Sequence, residues 1–147
     1  MTGTVRLHRV LTAPPERVYR AFLDAAAVAK WLPPDGFTCT VHALDATVGG
    51  KYRMTFTNLT SGNGHSFGGS YLELVPGQRI VHDDRFDDPT LPGTMVTTIT
   101  LHEVFCGTDL HVVQEGIPDM IPVEQCYLGW QQSLELLKRL VEPTIPG

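Results

Sequence analysis

From Pro122 to Val141 the apolar residues Val123, Cys126, Tyr127, Trp130, Leu134, Leu137 and Val141 recur mostly at gaps of three and four. Glu124, Gln125, Gln131, Gln132, Glu135, Lys138 and Arg139 occupy the other positions, so one face of a helix is apolar and the rest is wet. Pro122 suits the first helical position, Glu124 can reach back to unpaired amides of the first turn, and Pro143 ends the element. Twenty residues make about 30 Å of helix, enough to cross a whole sheet. This segment constrains the fold because the sequence before it reads as consecutive strands, which cannot bury their inner face unaided.

The strands are read from alternation and from turn residues. Val5–Leu11 alternates as a first strand. Thr12-Ala13-Pro14-Pro15-Glu16 then predicts a helix start, with Thr12 as cap, and Val18, Tyr19, Phe22 and Leu23 give that short helix one apolar side. A second short helix spans Ala25–Trp31 after Asp24 and stops at Pro33-Pro34. Six further strands follow: Phe37–Leu44, Lys51–Asn58, Ser66–Val75, Arg79–Phe86, Thr94–Val104 and Thr108–Glu115. Gly62 and Gly64 flank a hairpin turn, and the pairs Gly49-Gly50 and Gly68-Gly69 supply a turn and a bulge or strong bend. The order predicts an α+β fold. A curved antiparallel β-sheet wraps around a long C-terminal α-helix, with two short helices after the first strand.

Charge and cysteine content exclude several classes. Sixteen acidic against eleven basic side chains leave a net charge of -5, which argues against a nucleic-acid partner, since that needs a basic face. No apolar run approaches the roughly 20 residues that span a bilayer, and the first residues lack a signal-peptide apolar stretch. Cys39, Cys106 and Cys126 are odd in number and widely spaced, as expected of reduced thiols in a cytoplasmic protein. The six histidines show no zinc spacing, and the run His82-Asp83-Asp84 with Asp87-Asp88 lacks a calcium-loop pattern. No metal and no cofactor are expected. His8, His42, His102 and His111 are each read as solvated on outer strand faces.

The segments Ala13-Pro14-Pro15-Glu16-Arg17-Val18-Tyr19, Trp31-Leu32-Pro33-Pro34, Val48-Gly49-Gly50-Lys51-Tyr52-Arg53, Gly68-Gly69-Ser70-Tyr71-Leu72-Glu73-Leu74-Val75-Pro76, Gly107-Thr108-Asp109-Leu110 and Gly129-Trp130 span nearly the whole chain. Together they resemble the START-like helix-grip superfamily (SRPBCC, Bet v-like), and within it the heat-shock protein 90 ATPase activator homologue, C-terminal-domain branch. The resemblance implies one START-like domain over residues 1–147 and an internal apolar cavity between sheet and helix. It also implies three function classes: binding of a small hydrophobic or amphipathic ligand, a chaperone-associated interaction module, or a polyketide cyclase- or hydrolase-like enzyme. The expected partner is a small hydrophobic ligand, with a chaperone or a second copy of the chain as alternatives, and no nucleic acid or membrane.

Alternation selects the inward residues: Tyr52, Met54 and Phe56; Ile80, His82, Asp84 and Phe86; Met95, Thr97, Ile99 and Leu101; Leu110, Val112 and Gln114. Tyr71 and Leu74 both look buried yet cannot share a regular strand face. Ligand contacts are expected from Phe56, Tyr71, His82, Asp84, Gln114, Tyr127 and Trp130. His82 and Asp84, two apart on one strand face, are the candidate catalytic residues as general base and orienter; the plainer alternative is a structural hydrogen-bonded pair. Cys126 has no adjacent base in sequence and reads as core.

Overall fold

The computed structural model describes residues 2–147. In chain order the elements are β1 (Gly3–Leu11), α1 (Pro15–Leu23), α2 (Ala25–Trp31), β2 (Phe37–Leu44), β3 (Lys51–Asn58), β4 (Gly64–Val75), β5 (Arg79–Phe86), β6 (Met95–Val104), β7 (Gly107–Ile117) and α3 (Val123–Val141). The seven strands form one curved antiparallel sheet in the order β1-β7-β6-β5-β4-β3-β2. Strands β2 to β7 run as a meander, and β1 closes the far edge against β7. The excursion through α1 and α2 therefore carries the chain from one sheet edge to the other, leaving α3 to cover the concave face.

The long helix is divided in its use. Leu134, Leu137 and Val141 in its C-terminal half are essentially inaccessible and join the core with Val5, Leu7, Leu110 and Val112 of the β1–β7 edge. Burial of each such side chain contributes about 1.5–3 kcal/mol. Two polar ties fix the helix. Ser133 Oγ donates to the carbonyl of Leu32 at 2.6 Å, tying α3 to the end of α2, and Arg17 donates to the Val141 carbonyl at 2.9 Å. The helix begins one residue later than its spacing suggests, with Pro122 as the flanking residue.

Three local expectations change. Thr12 does not cap α1. Pro14 takes the cap position with extended backbone and Pro15 is the first helical residue, because a proline there gives up an amide that would have no partner in any case. The Thr12 amide instead donates to Glu142 at the far end of α3. Asp24 does cap α2, accepting the Ala27 amide at 3.0 Å.

The second change concerns β4. The ladder with β5 runs in register through Gly68, which pairs with Arg85, to Tyr71, which pairs with His82. The irregularity falls between Tyr71 and Glu73, so the bulge is not at the glycine pair. The extra residue there lets Tyr71 and Leu74 both turn inward while Leu72 is left exposed, which resolves their apparent conflict. The glycines serve close approach instead: a Cβ on Gly69 would stand 1.8 Å from the Asp83 carbonyl oxygen, and one on Gly68 2.6 Å from that of Tyr52.

The third change concerns Trp130, which the apolar stripe of the helix turns inward but which is not the fully buried tryptophan. Trp31, at the end of α2, is 1 % exposed, packs edge-on against Phe22 and donates its indole N–H to the Ala21 carbonyl at 2.8 Å. Trp130 is only partly buried against the core.

Candidate functional site

The N-terminal half of α3 does not pack down on the sheet. Between it, the concave sheet face and α2 lies a cavity of about 480 Å³. Cys126, Gly129, Trp130 and Ser133 form its roof, and Val28, Trp31 and Leu32 of α2 close one side. The floor comes from successive strands: Tyr52, Met54 and Phe56 of β3, Phe67 and Tyr71 of β4, His82, Asp84 and Phe86 of β5, Met95, Thr97 and Ile99 of β6, and Gln114 of β7. Alternation within each strand sends every second side chain toward the helix, which is why these sets share one wall. Exposed His65 and Gln125 lie on the rim, where the cavity meets solvent.

One polar chain runs through this apolar lining. Trp130 Nε1 donates to Gln114 Oε1 at 3.1 Å, Gln114 Nε2 donates to Thr97 Oγ1 at 3.3 Å, and Thr97 Oγ1 donates to Asp84 Oδ2 at 2.7 Å. The other Asp84 oxygen accepts the Tyr52 hydroxyl and lies 2.9 Å from His82 Nδ1. Asp84 is 4 % exposed and Thr97 is fully buried, so the carboxylate is stabilised by donors rather than by water.

This arrangement sets the protonation of its members. Burial alone would push the His82 imidazole down, but the Asp84 carboxylate, by its charge and its hydrogen bond, outweighs burial, and the net shift is upward. Burial, reinforced by Asp84, raises the phenols of Tyr52 and Tyr71, which stay neutral donors. Burial also raises the thiols of Cys126 and Cys39, the latter to about 11, so neither is a ready nucleophile. With His82 Nδ1 committed to Asp84, its Nε2 has no protein partner among the described residues, and neither has the Tyr71 hydroxyl.

Six of the seven residues chosen from sequence (Phe56, Tyr71, His82, Asp84, Gln114 and Trp130) border the same cavity. Tyr127 does not. It is 39 % exposed and turns away from the lining, because the cavity side of this helical turn is taken by Cys126 and Trp130, four apart, and Gly129. Sequence reading missed the α2 wall and Phe67. Val28 and Trp31 are three apart on a short helix, and Phe67 lies four before Tyr71 on the same strand face, so the periodicity was there to be read. The acidic run is dispersed: Asp83 binds Ser70, Asp87 pairs with Arg53, and Asp88 accepts from Thr90.

A curved antiparallel sheet gripping a C-terminal helix over an internal apolar cavity defines the helix-grip class of the SRPBCC superfamily. The chain belongs to one family within it, described as Activator of Hsp90 ATPase homolog 1-like protein, whose model matches residues 12–142. It is similar to a Chromobacterium violaceum protein of known crystal structure, with 67% identity over 96% of this chain and 98% of that one and a TM-score of 0.95. A Rhizobium loti protein shares 28% identity over 95% and 96% of the two chains, with a TM-score of 0.78. A Rhodobacter sphaeroides protein shares the fold at 20% identity, covering 95% of each chain with a TM-score of 0.83. No curated protein gave a significant match. Among the described residues, no helix is long and apolar enough to cross a membrane.

Proposed function

We propose that the protein binds a small, largely apolar and uncharged molecule in this cavity, with a hydroxyl or carbonyl end placed at His82 Nε2 and the Tyr71 hydroxyl. The observation that carries the reading is the cavity itself: about 480 Å³, apolar apart from one hydrogen-bonded polar chain and two open groups, His82 Nε2 and the Tyr71 hydroxyl. That volume and mixture suit a drug-sized ligand. Its charge follows from the lining. No lysine or arginine faces the space, and Asp84 and His82 offset each other's charge, so the lining holds no uncompensated charge to pair with an ionised ligand. Phe56 and Trp130 supply apolar contact, while Gln114 and Asp84 hold the donors in place. Residues 1–147 act as one START-like domain in this reading, in the cytoplasm, where its three free cysteines stay reduced. The test is mass spectrometry of small molecules retained by the natively purified protein. A neutral hydrophobic compound, lost when the cavity is blocked by Gly129→Trp, supports the reading; an empty cavity or an anionic ligand contradicts it.

A second reading rests on the His82–Asp84 contact at 2.9 Å. A carboxylate-oriented imidazole with one free nitrogen facing a cavity is the geometry of general acid–base catalysis on a bound carbonyl compound. His82 would then be the catalytic group and Asp84 its orienter, as in a cyclase or hydrolase. The family description carries a third reading, a chaperone-binding activator module. Stimulation of a chaperone's ATPase rate by the added protein separates it from the other two.

A further inference from the structure

We propose that His8, Asp109 and His111, on the convex face of the sheet away from the cavity, form a binding site for a divalent late first-row transition-metal ion, zinc foremost. The ladder builds the site. His8 of β1 lies directly opposite His111 of β7, and Asp109 sits two residues before His111, so all three side chains leave the same outer face. The two imidazoles stack with centroids 4.4 Å apart and planes within 13°. Both aim Nε2 at the same carboxylate: His8 at Asp109 Oδ1, and His111 at Asp109 Oδ2, 3.4 Å away.

One donor atom from each residue lies within 4.8 Å of the other two. Nitrogen and oxygen ligands at about 2.0–2.2 Å from a tetrahedral zinc ion are themselves about 3.4 Å apart. Ligation requires the two rings to turn out of their parallel stack so that each aims its Nε2 lone pair at the ion, and solvent leaves both side chains room to turn: His8 and His111 are about half exposed. The donor set selects the ion. Imidazole nitrogens favour zinc, nickel and copper(II), a carboxylate adds charge, and no thiolate is present to favour copper(I). His102 of β6 pairs with Asp109 on its other side but stands outside the three-residue donor cluster, so water fills the remaining positions. Linear spacing hides this cluster, because the two histidines come from opposite ends of the chain.

The site is independent of the cavity and is tested without it. Calorimetric titration of metal-stripped intact protein with zinc chloride is expected to show one saturable site. His8→Ala and His111→Ala should each weaken binding by about tenfold or more, since even an outer-shell partner is worth that much. His42→Ala, on a distant strand, should leave affinity unchanged. Copper(II) loaded in place of zinc should show two nitrogen ligands by electron paramagnetic resonance, and one in His8→Ala. Absence of saturable binding, or equal affinity in the wild type and both histidine variants, would overturn the proposal. Thermal unfolding of the metal-free variants checks that each is folded.

Discussion

The indole of Trp130 on α3 and the amide of Gln114 on β7 meet at 3.1 Å across the cavity roof, and that bond is the helix end of a relay reaching buried Asp84. It explains how an open cavity keeps a defined shape. The roof is held by directed polar contacts, this one and the Ser133–Leu32 bond, with only partly buried side chains beside them, and the core beneath the second half of α3 carries most of the stability.

That division predicts unequal tryptophans. Trp31→Ala removes a side chain that is 1 % exposed together with its bond to Ala21, and should cost about 3–5 kcal/mol. Trp130→Ala should cost about 1–2 kcal/mol, for one hydrogen bond and a partly buried ring. Urea unfolding measures both; equal losses would show that Trp130 is core.

Asp84→Ala leaves the Tyr52 and Thr97 hydroxyls and His82 without their shared acceptor in a buried setting. The expected loss is about 3–5 kcal/mol, the cost of breaking a buried charged pair from one side. A change below about 1 kcal/mol would show that the polar chain is not a structural element.

The raised pKa of His82 gives a signed pH dependence. Its contribution is fully present below the unfolded value, about 6.5, and is lost as the pH rises through the higher folded value. Urea midpoints of the wild type should therefore fall across that window, and His82→Gln should flatten this part of the curve. An unchanged slope in His82→Gln would assign the dependence to other groups.

Two glycines should respond in opposite directions. Gly69→Ala forces a methyl into the Asp83 backbone, 1.8 Å from its carbonyl oxygen, and should destabilise by about 1–3 kcal/mol or more. Gly129→Ala meets nothing within 4 Å and removes a helix-interior glycine, so it should stabilise by about 0.5–1 kcal/mol. Thermal midpoints of the two variants moving the same way would contradict this account of the backbone.

The fold was legible because its determinants are periodic. The α3 stripe and the strand alternations specify a helix over a sheet, and the inward sets around Met54, Ile99 and Val112 lie where the pleat sends them. Three things were not legible, for distinct reasons. The β4 bulge at Leu72 is set by pairing with β5, so a single strand cannot reveal it. Tyr127 fits the apolar stripe, yet only packing decides which edge of a stripe faces the sheet. The meeting of His8 with Asp109 and His111 depends on β1 pairing with the last strand. For the site, the polar residues were found from strand period; α2 was read as a helix, on which Val28 and Trp31 share one face, but that this face closes the cavity follows only from tertiary packing.

The most direct measurement of the central claim is a fluorescence titration of the native protein with an uncharged, environment-sensitive aromatic fluorophore. The account predicts one saturable site, displaced better by a naphthol than by the corresponding naphthoate. Binding should be weakened by Trp130→Ala and Gln114→Leu and unaffected by His42→Ala on an outer strand face. Fluorophore that binds only the unfolded chain, three variants that behave alike, or preference for the carboxylate would contradict a cavity built for a neutral ligand.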